Sequence, residues 1–147
     1  MRGFEKAKGF EHLDFPLPKR GTKYSAGYDF ALLEDVVVPA GEVVSGVTGV
    51  KAFMQDNEVL KIYPRSSLAK RYHITLGNNV GIVDKDYYNN PDNDGHIMIS
   101  LRNFGAEDIM LRKGERVAQG IFETYLTSPY EDEVFDTRNG GFGSTGK

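Results

Sequence analysis

Cysteine is missing from all 147 residues, which excludes disulfide scaffolds, thiolate metal sites and cysteine nucleophiles. Tryptophan is missing too, and no window nears the roughly 18 consecutive apolar residues that a membrane-spanning helix needs. The N-terminus, Met1-Arg2-Gly3-Phe4-Glu5-Lys6, carries no apolar run of the kind found in secretory leaders. These absences point to a cytoplasmic protein that does not engage a membrane. Neither sign of charge dominates, since 18 Lys and Arg stand against 21 Asp and Glu, for a net charge of −3. Such a balance argues against gripping a nucleic-acid polymer by bulk electrostatics, although local arginines can still serve a small anion.

What is present is glycine, 17 of it, spread among many short apolar runs. That pattern predicts a turn-rich, all-β protein, and the length suits one domain able to bury a core without staples. Residues 1–25 are polar and basic, and Pro16 and Pro18 forbid a helix between them. Strands are predicted at Tyr28–Leu32, Val36–Val38, Val43–Val44, Val50–Met54, Val59–Tyr63, Ile74–Leu76, Val80–Val83, His96–Leu101, Asp108–Leu111 and Arg116–Tyr125. Only Ser66–Arg71 reads as helix, for a turn or two. Val36–Val43 echoes Ile109–Arg116, each with a Gly-Glu turn after a β-branched or aliphatic run. One such pair is too little for a repeat architecture and reads as two hairpins sharing a turn chemistry.

Some patterns imitate known sites without completing them. Gly141 to Lys147 matches the opening of a phosphate loop, but the chain given stops where a Ser or Thr and then a helix are required. Asp92-Asn93-Asp94-Gly95 starts like a calcium loop, yet Leu101 falls where the bidentate Glu should be, so a solvated loop tip is expected. His12, His73 and His96 have no ligand spacing and read as structural or surface residues.

Five segments do combine into a chemistry. They are Ser25-Ala26-Gly27-Tyr28-Asp29, Tyr63 to Ala69, Gly77 to Tyr87, Gly114 to Gln119, and Arg138 to Gly146. Taken singly, each has a dull explanation, such as a strand end, a helix cap or a solvated tail. Together they hold what a nucleoside triphosphate requires. Arg65, Ser66, Gln119, Arg138, Ser144 and Thr145 are donors for phosphate oxygens. Asp84 and Asp29 are carboxylates for a water or a hydrated cation, and Tyr87 and Phe142 are flat faces for sugar and base. Phe142 stands alone in a glycine-rich tail, where a purely solvated segment gains nothing from an aromatic.

In this order and spacing the segments resemble the five motifs of the trimeric dUTPase family, from about Leu17 to Gly146. The resemblance implies a distorted jelly-roll or β-clip barrel over residues 1–137, a mobile C-terminal arm over 138–147, and a homotrimer in which each active site draws on three chains. It implies hydrolysis of dUTP to dUMP and pyrophosphate, with Asp84 activating the water that attacks the α-phosphorus. Asn78, Gly81 and Met98 would read uracil along a hairpin edge, and Tyr87 would pack under deoxyribose. Arg65, Ser66, Ser67 and Gln119 would hold phosphates. The arm would stack Phe142 on the base and bring Arg138, Gly143, Ser144 and Thr145 to the phosphates. Mg²⁺ would ride on the triphosphate with no direct protein ligand, Asp29 reaching it through water.

Two departures qualify the resemblance. The family usually has a glycine two residues after the tyrosine of its third motif. Here Tyr88 to Asp94 intervene before Gly95, which reads as a longer polar loop and leaves the register of Met98 open. Arg138 also sits four residues before Phe142, where the family more often has five. Two alternatives stay open at this level. One is a dCTP deaminase of the same superfamily. The other is a phage-type dUTPase whose added loop captures a regulatory protein partner.

Overall fold

The computed structural model describes residues 1–131. Among these, twelve strands and one α-helix run in the order β1 (Gly3–Lys6), β2 (Lys19–Arg20), β3 (Tyr28–Ala31), β4 (Val36–Val38), β5 (Val43–Val47), β6 (Val50–Phe53), β7 (Glu58–Pro64), α1 (Ser66–Tyr72), β8 (Ile74–Leu76), β9 (Gly81–Val83), β10 (Met98–Asn103), β11 (Ile109–Leu111) and β12 (Arg116–Thr124). A single 3-10 turn, Lys85–Tyr87, follows β9. All strand pairs are antiparallel and make four open sheets, ordered β1-β6, β5-β10-β8, β11-β4 and β2-β3-β12-β7-β9. The expectation of a mostly β chain with one short helix is met.

One core serves all four sheets. Period-two alternation puts Ile99, Leu101 and Asn103 of β10 inside and leaves Met98, Ser100 and Arg102 facing outward or half-covered. Phe30, Leu60, Ile74, Leu111 and Val117 are among the other fully buried side chains. Asn103 is polar and wholly buried, but its amide donates to Val38 O (2.9 Å) and Glu107 O (2.7 Å), and its Oδ1 accepts from Gly105 N–H (2.8 Å). It is therefore satisfied, as a buried amide must be. Helix α1 starts directly after β7, buries Leu68 in the core and stops at His73, whose φ of 57° is left-handed.

Two expectations need correction. Residues 1–25 are not merely a polar lead: β1 pairs with β6, and Phe4 sits against Phe30, Tyr28 and Phe122 with centroids 5.4–5.5 Å away. One aromatic in a four-residue strand gives no periodicity to detect. The echo between Val36–Val43 and Ile109–Arg116 is not two hairpins either. The strands of the two copies pair with each other, Val37 opposite Met110, about a local two-fold. The turns match across it, with Glu42 N–H to Pro39 O and Glu115 N–H to Arg112 O both at 3.0 Å, and with φ of 77° at Gly41 and 90° at Gly114. Only glycine takes that φ freely. Even the side-chain props repeat: Asp108 accepts from Ala40 N–H (2.9 Å) and Asp35 from Lys113 N–H (2.7 Å). Each turn sends the chain into a different sheet, which no local hairpin rule reveals.

Candidate active site

Strand β12 brings three of the five segments together. Across the large sheet its Gln119 faces Asp29 of β3 on one side and Tyr63 of β7 on the other. The Gln119 amide donates to Pro64 O (3.3 Å) and its side chain packs directly over Gly27. Arg65 follows the end of β7, and its Nε lies 3.6 Å from Asp29 Oδ1. Arg116 approaches the other oxygen, Asp29 Oδ2, at 3.4 Å. Asp29 thus orients two arginines. Ser66 and Ser67 are exposed on the first turn of α1. A pocket of about 260 Å³ opens beside this group, lined by Arg65, Ser67, Arg71 and Arg116 with Glu115 as its acid. Glu115 is already occupied by the Tyr72 hydroxyl (3.0 Å) and Arg112 N–H (3.0 Å). The net result is a cationic recess suited to phosphate. A larger groove of about 330 Å³ shares Asp29 and Arg116 but runs along Phe15, Pro16, Leu17 and Pro18. Its lining is mainly apolar, so the smaller recess offers an anion the better match.

The third segment forms a separate half-site. Asn78 and Asn79 cap the β8–β9 connection, and the Asn78 amide lies over Gly81, which pairs with Ile62. Met98, on β10 and paired with Val47, lines the same small cleft as Asn78, Gly81 and Ser100. Asp84 follows β9, is exposed, and opens the 3-10 turn. Tyr87 ends that turn and is buried in the core cluster. Arg138, Phe142, Gly143, Ser144 and Thr145 lie outside the described residues.

The two halves are far apart on one chain. Continuing the β7–β9 register by one residue sets Asp84 opposite Val59, four residues along β7 from the row of Tyr63, Gln119 and Asp29. Four residues are about 13 Å along a strand, and three strand spacings from β9 to β3 add about 14 Å across. The diagonal is about 20 Å.

A dUTPase family model matches residues 14–146, nearly the whole chain. The chain belongs to the dUTPase family. A deoxyuridine 5'-triphosphate nucleotidohydrolase of Lactococcus lactis subsp. lactis is 46% identical over 147 residues, covering 99% of this chain and 98% of that protein. One of Rickettsia felis is 35% identical over 147 residues, covering 96% and 95%. The crystal structure of dUTPase from Streptococcus mutans superposes with a TM-score of 0.78 at 42% identity, over 86% of this chain and 98% of that one. A mutant dUTPase from phage phi11 of S. aureus, in which a structural Mg(II) ion is coordinated, shares the fold at 17% identity with a TM-score of 0.73. It covers 92% of this chain and 99% of that one. Among the described residues of this dUTPase, no group of three or more His, Asp or Glu gathers to hold a metal.

The added loop of this dUTPase is exposed at Pro91, Asp92 and Asn93, as expected of a loop tip, while Asp94 and Gly95 tie it to the body. Gly95 has a φ of 85°, and a Cβ there would fall 2.6 Å from Tyr87 O. The two ends of the loop therefore meet, so Tyr88 to Asp94 bulge outward, and β10 starts three residues past Gly95 with Met98 opposite Val47. Within the loop, Asp94 is clasped by Lys51 Nζ at 2.8 Å and by Lys8 N–H at 2.8 Å. Burial alone would raise the Asp94 carboxyl, but these donors outweigh it and hold it below the usual range. Gly95→Ala should lower stability by about 2 kcal/mol or more, through left-handed strain and the clash with Tyr87 O. Equilibrium urea unfolding checks this, and an unchanged midpoint would contradict it.

His96 gives a pH dependence. Its ring is buried, stacks at 4.7 Å on Phe10, and accepts Gly49 N–H at Nε2 (2.8 Å). Burial pushes its pKa below the ordinary 6.5. The unfolded chain then binds the proton more readily than the folded one below about pH 6.5, and stability falls as pH drops through that window. Melting temperature should decline from pH 7 to pH 5.5, and His96→Gln should flatten that slope. An equal slope in the variant would refute the assignment.

Three contributing residues carried no assigned role in the sequence reading. Arg116 sits inside the fourth segment, but its link to Asp29 needs the β12–β3 pairing to be seen. Lys51 and Asn93 become visible only once the loop is folded against the body, because their partners are 43 and 6 residues away.

Proposed function

We propose that the chain hydrolyses dUTP to dUMP and pyrophosphate in the cytoplasm, at a site that is complete only in a homotrimer of distorted jelly-roll or β-clip subunits. The observation that carries this reading is the strand register, which at ordinary strand spacings separates Asp84 from the Asp29–Arg65–Arg116 group by about 20 Å. Adjacent phosphates of one nucleotide are only a few ångströms apart. Asp84 and the arginine recess of the same chain therefore do not act on one substrate, whereas those of neighbouring chains can.

In this reading the hairpin of Asn78, Gly81 and Met98 presents backbone N–H and C=O to the uracil edge. Cytosine would turn its amino group toward a donor, leaving both unsatisfied, which favours a dUTP nucleotidohydrolase over a dCTP deaminase. Tyr87 closes the space where a 2′-hydroxyl would sit. Asp84 accepts a proton from water, the water oxygen bonds to the α-phosphorus, and the bond from that phosphorus to the bridging oxygen breaks. Pyrophosphate leaves with the bridging oxygen. A neighbour's Arg65, Ser66, Ser67 and Gln119 hold the phosphate oxygens against the charge that develops. Residues 138–147 of a third chain close the site as an arm, Phe142 on the base and Arg138, Gly143, Ser144 and Thr145 on the phosphates. Mg²⁺ would be held by oxygens of the triphosphate rather than by the protein, and the chemistry it would supply is neutralisation of phosphate charge. Both oxygens of Asp29 face arginines, so Asp29 would reach the ion through water.

Pyrophosphate release from dUTP, set against dTTP, dCTP and UTP, tests the substrate. Subunit mixing tests the site. Asp84→Asn and Arg65→Ala proteins should each be nearly inactive, and an equal mixture after subunit exchange should regain about a quarter of wild-type activity. In such a mixture each site needs Asp84 from one chain and Arg65 from another, and each is present in half of the chains. No recovery in mixed oligomers would overturn the shared site.

A further inference from the structure

Tyr87 is tethered at both ends, and the outer tether comes from the added loop. Its hydroxyl donates to His96 O at 2.5 Å and accepts from Asn93 Nδ2 at 2.9 Å. Asn93 is itself fixed. Its Oδ1 accepts Gly95 N–H (3.1 Å), and its own N–H goes to Asn90 Oδ1 (3.1 Å), which also takes Asp92 N–H (2.9 Å). Asn90 is buried, and both its N–H (3.2 Å) and its Nδ2 (3.3 Å) point at Tyr87 O. The loop is in turn clamped to the body. Lys51 Nζ reaches Asp94 (2.8 Å) and Asn89 Oδ1 (2.5 Å), lies 4.8 Å over the Tyr88 ring, and the Tyr88 hydroxyl donates to Glu5 (2.7 Å).

A connection serving only to join two strands has no need of this network. Ordering seven residues costs conformational entropy, and here the loop's bonds hold Tyr87 at its main-chain carbonyl, through Asn90, and at its hydroxyl, through Asn93. A phenol ring anchored only at Cβ can tilt within its packing, whereas one held also at oxygen cannot. Excluding a 2′-hydroxyl depends on where that ring lies to within a fraction of an ångström.

We propose that Asn93 is a positioning residue for sugar selectivity. Through the Tyr87 hydroxyl, the added loop sets the ring against the sugar and so sets the preference for 2′-deoxy over 2′-hydroxy nucleotides. This rests on the reading of Tyr87 as the surface under deoxyribose.

The test is a double-mutant cycle in the full-length protein, with kcat and KM measured for dUTP and for UTP. Asn93→Ala should cut the dUTP:UTP ratio of kcat/KM about tenfold while kcat for dUTP stays within about twofold. Tyr87→Phe, which keeps the ring and removes the hydroxyl with its bonds to both Asn93 and His96 O, should give at least as large a loss. The double variant should lose no more than Tyr87→Phe alone, because removing the hydroxyl already removes the bond to Asn93. Should Asn93→Ala not fold, Asn93→Ser takes its place, since a serine hydroxyl can hold the local turn but stops short of Tyr87. An unchanged ratio in the Asn93 variant overturns the proposal, as do losses that multiply in the double variant or an equal drop for both nucleotides. Tyr87→Ala separates the two levels. If it leaves selectivity intact, the sugar reading of Tyr87 has failed. If it abolishes selectivity while Asn93→Ala does not, only the role of Asn93 has.

Discussion

Asp84→Asn should still bind dUTP but turn it over about 10²-fold or more slowly. An asparagine amide matches the carboxylate in size and can hold a water, yet it cannot take the proton that the attacking water must lose. A positioned general base contributes about 10²- to 10⁴-fold, and the lower bound already separates this variant from ordinary surface changes. Asp84 is exposed after β9 and outside the buried core cluster, so the substitution should leave the fold intact. Single-turnover kinetics with equilibrium binding of a non-hydrolysable dUTP analogue would separate the two effects. Retained kcat would remove Asp84 from the chemistry, and lost affinity with retained kcat would make it a binding residue.

Deleting residues 138–147 should cost about 10²-fold in kcat/KM and leave the body folded. The deletion removes Arg138, Ser144 and Thr145, proposed above as phosphate donors, and Phe142, proposed as a stacking face. Hydrogen bonds to charged groups are worth about 1.5–3 kcal/mol each, so losing two already gives that order of effect. The folded state should be indifferent, because among the described residues the hydrophobic core runs from Phe30 to Ala118, with Phe122 the last of them packed against it. Thermal unfolding should match the full-length chain. A truncated protein that unfolds would make the segment structural, and one with full activity would take it out of the site.

The sequence made some of this legible and hid the rest for identifiable reasons. The strands of the large sheet were readable because Val59–Tyr63 and Arg116–Tyr125 are long enough to show apolar patterning, and the structure places β7 and β12 there. Helix α1 was readable from a Ser-led run free of glycine and proline, and it extends one residue further, to Tyr72. Strand β1 was hidden because Phe4 alone faces the core and its partner, β6, lies more than forty residues on. The echo at Gly41 and Gly114 was visible as chemistry but misread as geometry. A positive-φ turn fixes a local bend, whereas which strand then pairs with which is decided by burial across the whole body. The register of Met98 was open because a loop of unknown shape preceded it, and the meeting of Tyr87 with Gly95 closes that loop.

The sequence by itself determined the family and the residue inventory: an aspartate, arginines with hydroxyl and amide side chains, and flat rings, ordered along five segments. Such groups must be particular residue types, so they leave a mark in the letters. Only the tertiary structure decided how they are shared out. It gathers Asp29, Arg65, Arg116 and Gln119 on one sheet, sets Asp84 about 20 Å away, and turns the added loop into a brace for Tyr87. Distances between residues far apart in sequence depend on strand pairing, and strand pairing follows from which surfaces the whole chain can bury together.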